Sequence, residues 1–82
     1  MTQTIQLRVE DKPGVLMRVV GIITAKGANI QSLSARPDAE QAGVSRVTLV
    51  AEIESRLNDR VVKEMNRLVQ VLEAVDVTHR RH

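Results

Sequence analysis

The sequence predicts an α+β fold in which strands and helices follow the order βαββαβ. Some segments alternate apolar and polar residues, which is typical of half-buried strands, and two others place apolar residues three and four positions apart, as amphipathic helices do. The apolar side chains are all aliphatic, because the 82-residue chain contains no Phe, Tyr or Trp. This order predicts the ferredoxin-like sandwich, a four-stranded antiparallel sheet with both helices on one face.

The first strand is predicted at residues 4–10, where Ile5, Leu7 and Val9 alternate with polar side chains. The first helix follows and is expected to end at Gly27, a residue suited to a left-handed turn. Its apolar stripe consists of Val15, Leu16, Val19, Ile22 and Ile23.

The next two strands are predicted at 29–35 and 44–53, joined by a polar loop at 36–43. The apolar phase of the second strand slips between Ile30 and Leu33, which indicates a bulge or a late strand start. The short loop between these strands suggests a hairpin.

The last helix and strand follow a predicted turn at 54–58, with Asp59 in the first helical turn or just before it. The apolar stripe of this helix consists of Val61, Val62, Met65, Leu68 and Val69. The last strand is expected to place Val71, Val75 and Val77 on one face, interrupted by Glu73. Gly21, inside the first helix, is interpreted either as a point of close packing on the sheet or on a neighbouring helix, or as a ligand contact.

The sheet face without helices is expected to be mostly polar, either solvated or covered by a second copy or a partner, because open sheets expose edges that tend to be covered. Arg46 on this face is interpreted as a partner contact or a solvated charge. The other residues of the face are Gln6, Arg8, Ser32, Ser34, Thr48 and Val50.

Composition argues against several classes of function. The charge of +2, from 12 basic and 10 acidic residues, makes no nucleic-acid patch, and the lack of aromatic residues argues against RNA stacking on the sheet.

There is no cysteine, no apolar run of the roughly 20 residues that span a membrane, and no signal-peptide pattern. We therefore expect a cytoplasmic domain at 1–78 with a basic tail at 79–82. No catalytic constellation, metal site or cofactor site is visible, since both histidines lie in that tail.

The loop Asp11-Lys12-Pro13-Gly14 is the strongest candidate site. Asp11 can cap the helix, Pro13 suits a first helical turn, and Gly14 adds no bulk over the helix N–H groups. A carboxylate could bind at those N–H groups. Asp11 is interpreted either as a helix cap or as a ligand contact.

Segments 9–16 and 26–33 resemble the ACT domain, a small regulatory module that typically senses amino acids. With 44–48 (Val-Ser-Arg-Val-Thr) and 68–72 (Leu-Val-Gln-Val-Leu), the chain resembles the regulatory (small) subunit of acetolactate synthase, also called acetohydroxyacid synthase. The resemblance covers nearly the whole chain.

This resemblance implies a non-catalytic subunit that binds the thiamine-dependent catalytic subunit of branched-chain amino-acid biosynthesis and raises its activity. It also implies a homodimer or higher oligomer with an amino-acid effector, most readily valine, between two copies. The loop and helix start of one copy face the second strand of the other. The residues that match these contacts are Asp11, Lys12, Pro13, Gly14, Val15, Leu16, Asn29 and Ile30.

The chain departs from the family pattern in two ways. Many valine-sensitive subunits carry Asn in place of Asp11 and lack Lys12 and Pro13, and many have a second C-terminal domain that we expect to be missing here. The alternative function is a stand-alone amino-acid sensor that regulates a different enzyme or transporter. Leu16 and Ile30 are interpreted as core as well as pocket residues. Asn29 either contacts the effector or only closes the turn after the helix.

Overall fold

The computed structural model describes residues 2–78 and confirms the predicted architecture. The strand order in the sheet is β2-β3-β1-β4, with every neighbouring pair antiparallel. The predicted tail at 79–82, with both histidines, lies outside the described residues. The elements are β1 (Thr2–Glu10), α1 (Val15–Ala25), β2 (Asn29–Pro37), β3 (Val44–Glu52), α2 (Ser55–Asn66) and β4 (Val71–Asp76).

The core lies between one face of the sheet and the two helices, and its apolar side chains are aliphatic apart from Met65. Each such side chain contributes about 1.5–3 kcal/mol when it is fully buried. The core side chains, each at most 7% exposed, are Ile5, Leu7, Val9, Val15, Val19, Ile23, Val47, Leu49, Ala51, Ile53, Val61, Met65, Val71 and Ala74.

The end of α1 and the start of β2 confirm the sequence-based prediction. Gly27 has φ 74°, its N–H donates to the Thr24 carbonyl at 3.0 Å, and the Ala28 N–H donates to the Ile23 carbonyl at 3.3 Å. This pattern is a Schellman motif, which requires a residue in the left-handed region.

Strand β2 has the predicted bulge, because its register against β3 shifts between Ile30 and Ser32. The strand also runs farther than predicted, since Arg36 and Pro37 pair with Arg46 and Ser45 of β3. Proline is tolerated there because β2 is an edge strand.

Helix α2 begins at Ser55, so the prediction that placed its start near Asp59 is wrong. The first turn does not show in the apolar pattern because a polar residue, Asn58, takes a core-facing position. Asn58 is only 6% exposed, and its amide donates to the Asp76 carboxylate at 2.6 Å. The helix ends at Asn66, and Val69, which was assigned to the apolar stripe, is 89% exposed.

The predicted face of β4 is also wrong, because a bulge changes its phase. Val9 pairs with Val71 but Arg8 pairs with Glu73, which leaves Leu72 as the extra residue. As a result Val71 and Ala74 enter the core, whereas Glu73, Val75 and Val77 line the open face.

Gly21 does not pack closely against anything in the described part of the chain. No atom of those residues lies within 4 Å of the position where a side-chain Cβ would stand, and the residue is exposed. It lies on the side of α1 that faces away from Val19 and Ile23, so the predicted contact with the sheet or with a helix of the same chain is wrong.

Candidate functional site

The loop between β1 and α1 is a tight turn that exposes the start of the helix. The Val15 N–H donates to the Lys12 carbonyl at 3.4 Å, which makes Pro13 and Gly14 the two central residues of a β-turn. Gly14 has φ 85° and ψ −12°, the values of the second central position of a type II turn. Pro13 therefore belongs to the turn and not, as predicted, to the first turn of the helix.

Asp11 is held by its backbone and leaves its carboxylate exposed. Its N–H donates to the Gly43 carbonyl at 2.9 Å, while the Lys12 ammonium lies 3.4 Å from the Glu10 carboxylate. The N-cap position is occupied by Gly14, with no side-chain cap. The interpretation of Asp11 as a helix cap is therefore wrong. Within residues 2–78 its carboxylate has no hydrogen-bond or ion-pair partner.

Two backbone N–H groups at the start of α1 lack protein acceptors. The first i→i−4 bond of the helix runs from the Arg18 N–H to the Gly14 carbonyl at 3.1 Å. In the described part of the chain, the N–H groups of Leu16 and Met17 donate to no protein oxygen. Such unpaired donors, with the positive end of the helix dipole, suit a carboxylate.

The side chains of the helix start divide between core and surface. Val15 is 2% exposed and packs in the core of its own protomer. Leu16 is half-buried and packs against the edge of that core, which leaves part of it accessible from the loop.

Asn29 and Ile30 lie at the other end of α1. Eleven helical residues separate them from the loop, a length of roughly 16 Å at 1.5 Å per residue. Asn29 is exposed and pairs with Glu52 across the sheet, and Ile30 is half-buried against the core. One protomer therefore does not bring the two predicted halves of the site together.

A second feature lies on the open face of the sheet and was only partly predicted. A groove of about 180 Å³ is lined mainly by polar and charged side chains, and the residues around it are Gln6, Leu7, Arg8, Arg36, Arg46, Val47, Thr48, Glu73, Val75 and Val77. Arg36 falls at the start of the loop predicted at 36–43, but the structure places it in β2. Continuing the alternation of Ser32 and Ser34 by two residues would have placed it on this face.

Asp38 organises the charges beside this groove. Its side chain is 2% exposed and lies 3.2 Å from Nε of Arg8 and 3.5 Å from Nε of Arg46. The backbone N–H of Glu40, which donates to this carboxylate, and the Arg8 guanidinium hold the pKa of Asp38 below its usual value. Asp38 is therefore an ionised anchor for two arginines on neighbouring strands.

Neither a metal cluster nor a membrane-spanning helix is found in residues 2–78. No three His, Cys, Asp or Glu side chains of that range come together as metal ligands. Neither α1 nor α2 has the length and apolar character that crossing a membrane would require.

Comparison with known proteins identifies the family. The model of the "AHAS small subunit-like ACT domain" matches residues 5–73. The probable acetolactate synthase small subunit of Archaeoglobus fulgidus is 37% identical over 78 residues, which cover 95% of this chain and 48% of that protein. The acetolactate synthase small subunit of Mycolicibacterium smegmatis is 40% identical over 75 residues, covering 92% and 44%. The chain thus spans about half the length of these relatives.

Solved structures agree on the fold. The acetolactate synthase small subunit of Thermotoga maritima superposes with a TM-score of 0.78 at 24% identity, over 93% of this chain and 47% of that one. The ACT domain of the GTP pyrophosphokinase of Chlorobium tepidum gives 0.74 at 16% identity, over 93% and 96%. From the family match and the sequence identities, the chain belongs to the family of AHAS small subunit-like ACT domains.

Proposed function

We propose that this chain is a non-catalytic regulatory subunit that binds the catalytic subunit of an acetolactate synthase and raises its activity. The observation that carries the proposal is the 37–40% identity, over more than nine-tenths of the chain, to proteins named acetolactate synthase small subunits. Because the chain spans about half of those proteins, its partner and its activity are both part of the proposal. A cytoplasmic location belongs to the same proposal.

The effector in this proposal is a branched-chain amino acid, with valine as the first candidate. The unpaired N–H groups of Leu16 and Met17 suit its carboxylate, and the exposed carboxylate of Asp11 suits its ammonium. The half-buried side chains of Leu16 and Ile30 offer apolar surface to its aliphatic end, if Ile30 comes from a second copy.

The second copy is proposed to lie beside the β2 edge. At the other edge of the sheet, the Asn66 amide exchanges two 3.0 Å hydrogen bonds with the backbone N–H and carbonyl of Ala74, so that the middle of β4 is already paired on its outer side. Strand β2 has no comparable cover in the described residues and is exposed along nearly its whole length. An unprotected edge of nine residues favours pairing with another strand.

Reconstitution tests the proposal. The chain is added to the purified acetolactate synthase catalytic subunit of its own organism, and the rate of acetolactate formation is measured with and without valine. An increase in rate together with a stable complex supports the regulatory subunit. No complex and no activation would refute it, and a calorimetric response to a non-branched amino acid would then favour the stand-alone sensor.

A further inference from the structure

Three arginines form one row across the open face of the sheet. Arg36 of β2 pairs in register with Arg46 of β3, and Arg46 pairs with Arg8 of β1. Like charges placed directly opposite one another on neighbouring strands destabilise a sheet. The repulsion among the three guanidinium groups therefore destabilises the folded domain, and the other side chains of the domain offset this repulsion only in part.

The compensation comes from one carboxylate. Asp38 binds Arg8 and Arg46 through their Nε atoms, and a terminal nitrogen of Arg8 donates to the Gln41 side chain at 2.7 Å. Arg36 has no acidic partner among the described residues. The row thus keeps an excess of positive charge, with guanidinium groups still able to donate to an anion.

Glu73 does not cancel this excess. It faces Arg8 across β1 and β4, but the Arg8 guanidinium turns the other way, toward Asp38 and Gln41. In residues 2–78 no ion pair joins Glu73 to Arg8.

The basic outer side of α2 is different. Its Arg60 and Lys63 stand beside Asp59 and Glu64 at helical spacing, and Glu64 itself pairs with Lys26 at 2.8 Å. Cations still outnumber carboxylates among the residues of this surface, but acidic side chains stand among them, so the helix provides a basic control surface for the arginine row.

The shape of the groove indicates the kind of partner. Its volume of about 180 Å³ is below the roughly 300–1,000 Å³ of pockets that enclose small molecules. Polar Gln6 and Thr48 and apolar Val75 and Val77 continue the surface around the arginines. An open, mixed surface with a positive centre fits side chains that project from another protein.

We infer that the open sheet face docks an acidic segment of the protein that this subunit regulates, with carboxylates of that segment against Arg36 and Arg46. This inference rests on the proposed partnership with a catalytic subunit. A second copy of this chain fits less well, since it would bring the same excess of positive charge to the contact.

Arg36→Glu tests the inference, with Arg60→Glu as the control that changes the charge by the same amount. We expect Arg36→Glu to weaken association with the catalytic subunit by roughly tenfold or more, and Arg60→Glu to stay within about twofold of wild type. The thermal midpoint of Arg36→Glu should equal or exceed that of wild type, because the new carboxylate faces Arg46. A variant that simply unfolds would not give this combination.

Calorimetric titration against the catalytic subunit, at low and high salt, measures the affinities, and sedimentation gives the mass of each variant alone. The inference is supported if the affinity of the wild type falls as the salt concentration rises, and if Arg36→Glu loses this affinity while Arg60→Glu keeps it. Equal binding by wild type and Arg36→Glu overturns it and leaves the proposed function standing. A changed mass of Arg36→Glu alone also overturns it, since the loss of binding then follows from the loss of a second copy and not from the open face. Absence of wild-type binding refutes the proposed function and the inference together.

Discussion

At the scale of single residues, Gly14 determines whether the start of α1 is accessible. Its φ of 85° forms the turn, and no atom of residues 2–78 lies within 4 Å of the place where its side chain would begin. We expect Gly14→Asp to abolish binding of valine or any other amino-acid effector, because bulk and negative charge would stand where the carboxylate binds. Calorimetry with valine, leucine and isoleucine measures the loss.

Gly14→Ala is the control for that experiment, since it imposes at least as much backbone strain as Asp, about 1–2 kcal/mol, without the charge. It should weaken effector binding less than Gly14→Asp does. Unchanged affinity in Gly14→Asp would show that the effector binds elsewhere.

Asp38 is expected to make the free energy of unfolding depend on pH in the acidic range. Its folded pKa lies below the ordinary 3.8, chiefly because the Glu40 N–H stabilises the carboxylate. A lowered carboxyl pKa contributes stability that is fully present above the unfolded pKa and is lost as the pH falls through the folded pKa. The free energy of unfolding should therefore decrease from about pH 5 downward, and less steeply in Asp38→Asn. Urea denaturation at several pH values measures both slopes, and equal slopes would contradict the assignment.

At the scale of whole elements, α1 carries a glycine that its own chain does not explain. Gly21 is exposed, the described residues leave open space around its Cβ position, and its φ is not in the left-handed region. Gly21→Ala should therefore stabilise the domain by about 0.5–1 kcal/mol, by restricting the unfolded chain and favouring the helix. Gly27→Ala should instead destabilise it, because φ there is 74°. Urea denaturation of both variants measures the signs; a destabilised Gly21→Ala would indicate that another molecule covers this side of α1.

Helices and strands whose apolar residues recur at a regular spacing were predictable from the sequence. Those in which this spacing is interrupted were not. β1 and the core side of α1 follow their apolar patterns without a break. The start of α2 was missed because Asn58 is buried by a hydrogen bond to Asp76, which a hydrophobicity pattern does not register. The face of β4 was misassigned because the extra residue Leu72 reverses the alternation, and a bulge depends on pairing with a distant strand.

Of the two candidate sites, the loop before α1 was predictable from the sequence, and the arginine row was predictable only in part. The loop and its glycine follow from local turn chemistry, so the sequence located them. The arginine row depends on the register of three strands, which is set by contacts far apart in the chain. Arg36 was therefore missed, although its neighbours Ser32 and Ser34 were placed on the correct face.

At the scale of the whole molecule, the proposed effector site requires two protomers, because one protomer does not bring its two halves together. Leu33 of β2 is 38% exposed although it pairs with fully buried Leu49, so the apolar surface continues past the sheet edge. We expect Leu33→Glu to shift the protein to a monomer and to weaken effector binding with it. Sedimentation equilibrium measures the mass.

Leu72→Glu is the matched control, since Leu72 is 42% exposed on the opposite edge strand. It should leave both the mass and the effector affinity unchanged. A monomeric wild type, or a dimer that Leu72→Glu breaks while Leu33→Glu does not, would place the second copy elsewhere.

The side chain of Asn66 sets a limit on assembly. A sheet with two open edges can add copies at both sides and grow into an endless ribbon, which is the route to fibres. The Asn66 amide occupies the backbone N–H and carbonyl of Ala74 on the outer side of β4, which makes this edge less available to a neighbour than the β2 edge in residues 2–78. When two copies pair along β2, the more exposed strand edge of each copy is covered by the other. If the second copy pairs along β2, as proposed, we expect the Asn66 amide to favour a dimer over a longer assembly.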